Sequence, residues 1–531
     1  MIQCQIRLNA DHGPEEIRQR LLAQLRIRPE ELIEYSIRKQ SIDARTRNQC
    51  VQYVYTIYAQ VKNEKKILSG KKDKNTIHID PVEYTFPEAG EGVLKECPLI
   101  VGAGPAGLFC AYELARHGYR PLVIERGRRI EERTEDVRDF WEKGRLLTAS
   151  NVQFGEGGAG AFSDGKLNTL VKDAYGRSRE VLDIFIRNGA PEEIGYEAKP
   201  HIGTDKLFEV IPSLRREIEA MGGSFAFETC LTDIETEDGR VSAVYVNGGE
   251  RIPCQALILC IGHSARDTFT RLAEKNIPME AKPFAVGMRV EHPQAQINEN
   301  QYHGMQTDSL PPAAYKVTWQ CENGRGVYSF CMCPGGYVVN ASSEEGRLAV
   351  NGMSYYRRDS KNANSAIIVT VTPEDYGGEG PLAGMYFQRR LEEKAYNMGK
   401  GNIPQQLFGD FEKGQLSAGY GAFPSCVKGK TAFAPLHELF PEDLKSAFVE
   451  GMHGFAGRIR DFDRPDAILS GVESRTSSPV RILRGDDLES QLRGLFPCGE
   501  GAGYAGGIMS AAMDGLKCAE AVAKRYRPFD E

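Results

Sequence analysis

The chain has 531 residues, of which 41% are hydrophobic and 26% are charged. This ordinary globular composition excludes a disordered, fibrous or small disulfide-stapled protein, and at roughly 100–200 residues per domain the length predicts two or three domains. The net charge of −7 argues against a protein that coats nucleic acid.

Targeting signals and membrane spans are not evident. The first residues, MIQCQIRLNADHG, contain no apolar run between a basic flank and a cleavage site, so we expect no secretory signal. No stretch reaches the roughly 18 uninterrupted apolar residues that a membrane span needs. The 13 cysteines include no CxxC pair and no cluster typical of a metal site. We therefore expect a cytoplasmic protein with reduced thiols, no metal and no membrane partner.

The first domain is predicted over residues 1–85. Residues 2–9 alternate apolar and polar side chains, as a half-buried strand does, and apolar residues then recur every four positions over 17–25, as on one face of a helix. Alternation returns over 33–37 and 51–57. The order β-α-β-β predicts a small, separate α+β module, followed over residues 62–92 by a linker or long excursion.

Charge divides at the same place. Residues 1–80 contain 15 Lys and Arg against 10 Asp and Glu, a balance of +5 that leaves −12 for the remainder. A solvated basic face is one interpretation of this balance. A docking surface for an acidic partner or RNA is the other.

A dinucleotide fingerprint begins at residue 99. The apolar strand 99–101 runs into Gly102, Gly104 and Gly107 of a GxGxxG motif, and a helix follows. Glycines at these positions allow a tight turn, a close approach of pyrophosphate and close helix–strand packing. Glu125 follows the next strand, where its carboxylate is placed to accept from a ribose hydroxyl.

Two later segments narrow the cofactor to FAD. Residues 494–523 combine a short apolar strand, the acid Glu500, a glycine pair at 506–507 and a helix. This pattern resembles the terminal strand–turn–helix of flavoproteins with the glutathione-reductase-like fold. The resemblance implies that Glu500 holds the ribitol chain and that the helix N-terminus faces the flavin. Residues 256–268 resemble the strand that crosses back beside the cofactor, with Gly262 at the close approach.

A glycine- and serine-rich segment, 151–169, comes just after the first βαβ unit. Its main-chain N–H groups, with Ser163 and Lys166, are predicted to cradle the cofactor, although a flexible surface loop has the same composition. The predicted cofactor-binding residues are Gly102, Gly104, Pro105, Ala106, Gly107, Glu125, Arg126, Gly157, Gly158, Ala159, Ser163, Asp164, Gly165, Lys166, Leu167, Ile261, Gly262, Gly499, Glu500, Gly506, Gly507 and Ile508.

Four residues are candidates for catalysis. His201 has an ordinary pKa that suits proton transfer, but a lone histidine is more often structural. Cys331 and Cys333 would point to one face of a strand, either as redox or adduct-forming thiols or as a small buried pair. Arg475, grouped in sequence with Arg481 and Arg484, is suited either to a substrate carboxylate or phosphate or to a structural ion network.

Several long motifs together resemble one family. The segments GAGPAGLFCAYELA, NVQFGEGGAGAFSDGKLNT, PHIGTD, SFCMCPGG, NGMS, ESRTSSPVRI and GEGAGYAGGIMSAAMDG are similar to the uncharacterised FAD-dependent dehydrogenase family, NAD(P)/FAD-dependent oxidoreductases with an N-terminal α+β domain. The resemblance implies a Rossmann-like FAD-binding domain over 93–270 and 491–531, interrupted by a substrate or cap domain over 271–490. Within it, the matching cofactor positions are Gly102, Gly104, Gly107, Glu125, Gly262 and Glu500.

The resulting hypothesis is an FAD-dependent oxidoreductase that transfers hydride through flavin for an unidentified small-molecule substrate. After residue 107 the GxGxxG spacing recurs only at 155–160 and 501–506, within segments already assigned to the FAD site, so no separate NAD(P)H-binding unit is evident. Either the substrate reduces the flavin directly or NAD(P)H visits transiently. The alternatives are a flavin-dependent RNA-modifying or RNA-binding redox protein that uses the basic N-terminal domain, and a flavoprotein-fold binding protein without turnover.

Overall fold

The computed structural model describes residues 1–45, 50–69, 75–305 and 309–529. The strands are β1 (Ile2–Asn9), β2 (Leu32–Asp43), β3 (Gln52–Val61), β4 (Ile77–His78), β5 (Leu99–Val101), β6 (Leu122–Ile124), β7 (Ser224–Ala226), β8 (Leu231–Glu237), β9 (Arg240–Val246), β10 (Glu250–Pro253), β11 (Leu257–Leu259), β12 (Met279–Ala281), β13 (Phe284–Pro293), β14 (Thr318–Gln320), β15 (Gly326–Cys333), β16 (Tyr337–Asn340), β17 (Val350–Met353), β18 (Asn362–Val371), β19 (Ile403–Leu407), β20 (Val427–Lys428), β21 (Thr431–Phe433), β22 (Ile468–Glu473), β23 (Val480–Ile482) and β24 (Leu495–Pro497).

The α-helices lie between these strands and after them. They are α1 (Pro14–Leu25), α2 (Glu64–Ser69), α3 (Pro105–Arg116), α4 (Ile130–Lys143), α5 (Arg177–Arg187), α6 (Thr204–Ala220), α7 (Arg266–Glu274), α8 (Gln294–Tyr302), α9 (Pro373–Tyr376), α10 (Ala383–Gly399), α11 (Phe408–Lys413), α12 (Glu442–Ala456) and α13 (Ile508–Arg525). Among the described helices, none is both long and apolar enough to cross a membrane.

The N-terminal sheet has the order β2-β3-β1-β4 and is antiparallel. The predicted β-α-β-β order is found, and β4 adds a fourth strand at the edge of β1. Of the two alternatives predicted for residues 62–92, a linker or a long excursion, the described part fits the excursion: it contributes α2 and β4, runs on without helix or strand over 79–90, and the Gly90 N–H donates to the Ala523 carbonyl at 2.8 Å. Residues 70–74 of that stretch lie outside the described residues.

The N-terminal sheet is not a separate module in its packing. Its buried side chains, among them Ile2 and Ile57, belong to the same continuous apolar core as Val290 of β13. The Tyr53 hydroxyl donates to the Ser309 carbonyl at 2.6 Å. Burial of a shared apolar core stabilises both parts at once, so the sheet is held against the rest of the chain.

The nucleotide-binding part is a five-stranded parallel sheet of order β24-β11-β5-β6-β7. Helices α3, α6 and α13 contribute to the core on one face, and the antiparallel sheet β10-β9-β8 contributes to the core on the other. This is the predicted Rossmann-like architecture. Strand β24, far along the chain, lies directly beside β11 and two places from β5, so both ends of the domain's sequence meet in one sheet.

The inserted part is built on a seven-stranded sheet of order β14-β15-β18-β13-β22-β19-β21. Its central strand β13 is buried over nearly its whole length, and its apolar side chains belong to the same core as those of α10, α12 and the N-terminal sheet. A small sheet, β17-β16-β20, lies beside it. This layered arrangement places β15 and the end of β22 next to the carboxyl ends of the parallel strands.

Candidate cofactor cavity

A cavity of about 350 Å³ lies at the carboxyl ends of β5, β6 and β11, the edge where open parallel sheets bind ligands. It is lined by 19 of the predicted site residues: Gly102, Gly104, Pro105, Ala106, Glu125, Arg126, Gly158, Ala159, Ser163, Asp164, Lys166, Ile261, Gly262, Cys331, Arg475, Glu500, Gly506, Gly507 and Ile508. The predicted residues that do not line it are Gly107, Gly157, Gly165, Leu167, Gly499, His201 and Cys333.

The predicted glycines outside the cavity lie directly behind its wall. A Cβ at Gly107 would stand 1.8 Å from the Gly102 carbonyl oxygen, so glycine here lets α3 pack against β5. The Gly157 N–H donates to the Ala103 carbonyl at 2.8 Å, and the Gly499 N–H donates to the Asp514 carboxylate at 2.8 Å. These residues shape the loops whose neighbours face the cavity.

Glu125 organises the turn as well as lining the cavity. Its carboxylate accepts from the N–H groups of Ala103 at 2.9 Å, Gly127 at 2.9 Å and Gly155 at 3.0 Å. A carboxylate has about four acceptor positions. One therefore remains for a ribose hydroxyl, the role that the sequence predicts, while the other three fix the fingerprint turn to the glycine-rich segment.

A flat surface lies beside Glu125. The Arg126 guanidinium stacks over the Phe154 ring at 4.4 Å and donates to Asp267 at 2.9 Å. Thr229 and Leu231 line the same part of the cavity. Stacked planar groups of this kind accommodate the flat adenine base. Phe154, Thr229 and Leu231 were not among the predicted site residues. Phe154 belongs to the predicted glycine- and serine-rich segment 151–169, but no role followed for it, whereas Thr229 and Leu231 come from a loop and a strand start that carry no motif of their own.

The opposite part of the cavity receives the start of α13. A Cβ added at Gly262, Gly506 or Gly507 would meet nothing within 4 Å, so the main chain there faces open space. The N-terminus of an 18-residue helix points at that space. Glu500 lies close by, with its carboxylate 3.2 Å from Nδ1 of His263. Bare backbone, a helix N-terminus and an acceptor fit a flavin with its ribitol chain.

Buried charges surround Lys166 in the cavity wall. Its Nζ lies 2.8 Å from Asp164, which also binds Arg358 at 2.5 Å and accepts from the Ser354 hydroxyl. Burial alone would raise the pKa of Asp164, but the charges of Lys166 and Arg358 outweigh it and hold that pKa well below its ordinary value. Asp164 is therefore a permanent anion that fixes the Lys166 ammonium at the cavity.

His201 does not support the predicted catalytic role. It lies behind the wall, with Nε2 3.0 Å from the Tyr356 carbonyl oxygen. Burial and the Arg358 charge lower its pKa to about 4, so the ring is neutral at physiological pH. It is placed to support the Asp164–Lys166 segment through the β-bridge between Lys166 and His201.

Arg475 lines the cavity as part of an ion network. Its guanidinium binds Glu392 at 2.7 Å and donates to the hydroxyls of Ser264 and Ser343. Glu392 also binds Arg266 at 2.7 Å. The two other arginines of the predicted group diverge, Arg481 to Glu280 and Arg484 to Asp514. The three arginines therefore do not converge on one anion site. Arg475 belongs to a structural ion network, the second of the two roles that the sequence suggested.

Cys331 and Cys333 do not follow simple strand alternation. Between Phe330 and Cys333, three steps along β15 match two along β18, which is a β-bulge, and Cys331 has a φ of 44°. Cys331 lines the cavity, whereas Cys333 lies behind it. The prediction that both thiols lie on one strand face was wrong because the bulge interrupts strand alternation. No residue of the segment indicates this bulge in advance.

Two further wall residues, Asn351 and Glu473, were not predicted to be in the site. Both lie in segments singled out by the sequence, NGMS and ESRTSSPVRI, but no role followed from the motif. Arg289 connects them, because its guanidinium donates to Asn351 at 3.0 Å and to Glu473 at 2.9 Å.

One buried group of potential metal ligands occurs among the described residues: Cys498, Asp514 and Cys518. The Asp514 carboxylate is already bound by the Arg484 guanidinium at 2.7 Å. Burial raises the pKa of the Cys498 thiol well above its ordinary value. Because the thiol is neutral and the carboxylate is paired with arginine, we interpret these residues as a hydrogen-bonded core cluster beside the nucleotide-binding sheet rather than as a metal site.

Three family models match the chain. Residues 283–476 match "FAD-dependent protein, C-terminal domain-like", residues 100–147 match an NAD(P)-binding Rossmann-like domain, and residues 1–59 match a domain of unknown function. These matches coincide with the inserted sheet, the fingerprint and the N-terminal sheet.

Similar proteins and structures span different shares of the chain. A protein of Clostridium beijerinckii, described as uncharacterized, is 47% identical over 527 residues, 98% of each chain. Thiamine thiazole synthase of Thermotoga maritima is 31% identical over 155 residues, 29% of this chain and 47% of that one. The crystal structure of glycine oxidase from Bacillus cereus has a TM-score of 0.35 and 11% identity, and the match covers 81% of this chain and 95% of that one.

Proposed function

Because the chain belongs to a family of FAD-dependent oxidoreductases, in which a Rossmann-like domain accompanies the FAD-dependent C-terminal domain, we propose that it binds FAD extended along the described cavity and oxidises or reduces a small molecule there. Bound FAD supplies the hydride chemistry. The adenosine half lies at Glu125 and Arg126, and the isoalloxazine half lies at Gly506 and Gly507.

One observation carries this proposal: the N-termini of α3 and α13 open into the same cavity. A helix N-terminus presents free N–H groups and a partial positive charge, which favour anions. The start of α3 follows the fingerprint and suits the pyrophosphate. The start of α13 suits the negative charge that a flavin gains on reduction.

The inserted sheet closes the ring end of the cavity. Phe330, Cys331 and Glu473 line this wall, and Lys166 adds a fixed positive charge. We propose that the small-molecule substrate lies between this wall and the flavin, because ligand pockets form preferentially where two domains meet. The wall excludes water from the reacting centre and so strengthens its electrostatic interactions.

A nicotinamide cofactor is proposed as a transient electron donor. The two later GxGxxG spacings, 155–160 and 501–506, both border the proposed FAD cavity, so the sequence offers no separate unit for a second dinucleotide, which supports a visiting rather than a resident nicotinamide. The cytoplasm is the proposed location, and the 13 free cysteines support it. To test the donor, the holoprotein is mixed anaerobically with NADH or with NADPH while the flavin absorbance is followed. Bleaching by either one supports the proposal, whereas bleaching by neither, in a protein that dithionite reduces, contradicts a nicotinamide donor.

Glu500→Ala should weaken FAD binding by about 1.5–3 kcal/mol, a rise of roughly 10- to 150-fold in Kd, because one charge-assisted hydrogen bond is lost. The Kd is measured by quenching of flavin fluorescence as apoprotein is added. Glu237→Ala, at an exposed strand end outside the cavity, is the control and should leave the Kd unchanged. An unchanged Kd for Glu500→Ala would place the ribitol contact elsewhere.

A further inference from the structure

A pair of thiols lies in the wall that faces the proposed flavin ring. Cys331 lines the cavity next to Phe330, and Cys333 follows two residues later across the β-bulge. The Cys333 sulfur lies 3.3 Å from the Cys331 carbonyl oxygen. Rotation of the two side chains has to bring the sulfurs to about 2.05 Å for a disulfide to form.

Positively charged side chains lie close to this pair. Lys166 Nζ and Arg289 Nη1 each lie 4.0 Å from the Cys333 sulfur, and Arg358 is the third cation of the cluster. Two carboxylates balance them, Asp164 on Lys166 and Arg358, and Glu473 on Arg289.

The pKa shifts of the cysteines agree with the nearby positive charges. The hydrogen bond from Cys333, together with the charges of Lys166 and Arg289, lowers the pKa of Cys331 well below its ordinary value. Cys110, Cys260 and Cys498 lie in the core near one another, and burial raises the pKa of each. Thiolates, rather than thiols, are the reactive form of cysteine, so the chain concentrates this reactivity at the cavity wall.

We propose that Cys331 and Cys333 are a second redox centre, a dithiol that exchanges two electrons with the flavin. This inference rests on the proposed binding of FAD in the same cavity. In the oxidative direction the Cys331 thiolate and the Cys333 thiol form an S–S bond, and the Cys333 S–H bond breaks. The released electron pair and that proton pass to oxidised FAD, giving the reduced flavin anion. The reverse step regenerates the dithiol.

The main test counts electrons. The holoprotein is first oxidised with ferricyanide, an electron acceptor that leaves no mixed disulfide on single thiols, then desalted and titrated anaerobically with dithionite. Full reduction should consume four electrons per bound FAD, two for the flavin and two for the disulfide, because a disulfide is a two-electron couple. The Cys333→Ser protein should consume two electrons per bound FAD, because only the flavin is reduced. Cys97→Ser, which removes an exposed thiol away from the cavity, should still consume four.

The outcomes separate the two proposals. Wild-type protein that binds FAD yet consumes only two electrons would overturn the dithiol centre and leave the proposed cofactor site standing. Protein that binds no FAD would overturn both. The titration of wild-type protein needs no substitution, so a misfolded variant does not obscure the result.

A second readout does not use the loaded enzyme's activity. Apoprotein is oxidised under native conditions, alkylated and digested, and the peptide that contains both cysteines is weighed. A mass lower by two hydrogen atoms, with no added alkyl group, supports the pair. Alkylation of both cysteines after oxidation would overturn it.

Discussion

Gly104→Val protein should purify colourless, with FAD affinity reduced by at least about a hundredfold. The reason is that two or more charge-assisted hydrogen bonds to phosphate are lost, at about 1.5–3 kcal/mol each. Gly104 lines the cavity and immediately precedes α3. A Cβ there would stand 3.7 Å from the Cα of Gly158, so valine methyl groups extend into the space where pyrophosphate would lie.

The substitution should spare the fold, because the φ of Gly104 is −79° and the added Cβ makes only an ordinary contact. Circular dichroism and the melting temperature of the apoprotein check this. Gly419→Val is the matched control, since its added Cβ meets nothing within 4 Å and Gly419 does not line the cavity. It should purify yellow. A fully flavin-loaded Gly104→Val protein would contradict the fingerprint as the pyrophosphate site.

Glu392→Gln should lower the free energy of unfolding by about 3–5 kcal/mol, the cost of breaking a buried ion cluster by removing one partner. Glu392 is fully buried between Arg266 of α7 and Arg475 of the cavity wall, at 2.7 Å from each. The amide leaves two buried guanidinium groups without their shared anion. Urea unfolding followed by tryptophan fluorescence measures the loss.

The same variant predicts a pH dependence. The charges of Arg266 and Arg475 overcome the effect of burial and hold the pKa of Glu392 below its ordinary value of 4.5. A lowered folded-state pKa contributes stability that is present above that ordinary value and lost as pH falls below it. The difference in the free energy of unfolding between wild type and Glu392→Gln should therefore be largest at neutral pH and should decrease as the pH falls below about 4.5.

Glu393→Gln provides the control, because Glu393 is the adjacent residue of α10 and is exposed. It should change the free energy of unfolding by no more than about 0.5 kcal/mol. A Glu392→Gln protein as stable as this control at neutral pH would show that the cluster does not hold the inserted sheet to the nucleotide-binding part.

The local motifs of the nucleotide-binding part predicted its architecture well, for a physical reason. A glycine turn between an apolar strand and a helix is specified by adjacent residues, so Gly102, Gly104 and Gly107 identify it without the rest of the chain. The same holds for β24 and α13 around Glu500. These short segments came together in one sheet and one cavity as the sequence indicated.

Pairings between distant residues were not predictable in this way. Arg475 forms an ion pair with Glu392 of α10, far away in sequence. No local sequence pattern distinguishes an arginine paired in this way from one that binds substrate. The burial that lowers the His201 pKa and the bulge at Cys331 likewise arise from tertiary packing. The RNA-binding alternative for the basic N-terminal domain stays a prediction, since charge alone specifies no partner.

The position of β24 and α13 has a consequence for synthesis of the protein in the cell. They are the last strand and the last α-helix of the described chain to leave the ribosome, yet they form one side of the cavity. Domains generally fold as units during translation. Here the first half of the nucleotide-binding part cannot complete its sheet until β24 has been synthesised, after the whole inserted sheet. Until then the edge of β11 stays unpaired. Cofactor loading therefore has to follow synthesis of the inserted sheet, and chains that terminate before β24 expose the open edge of β11.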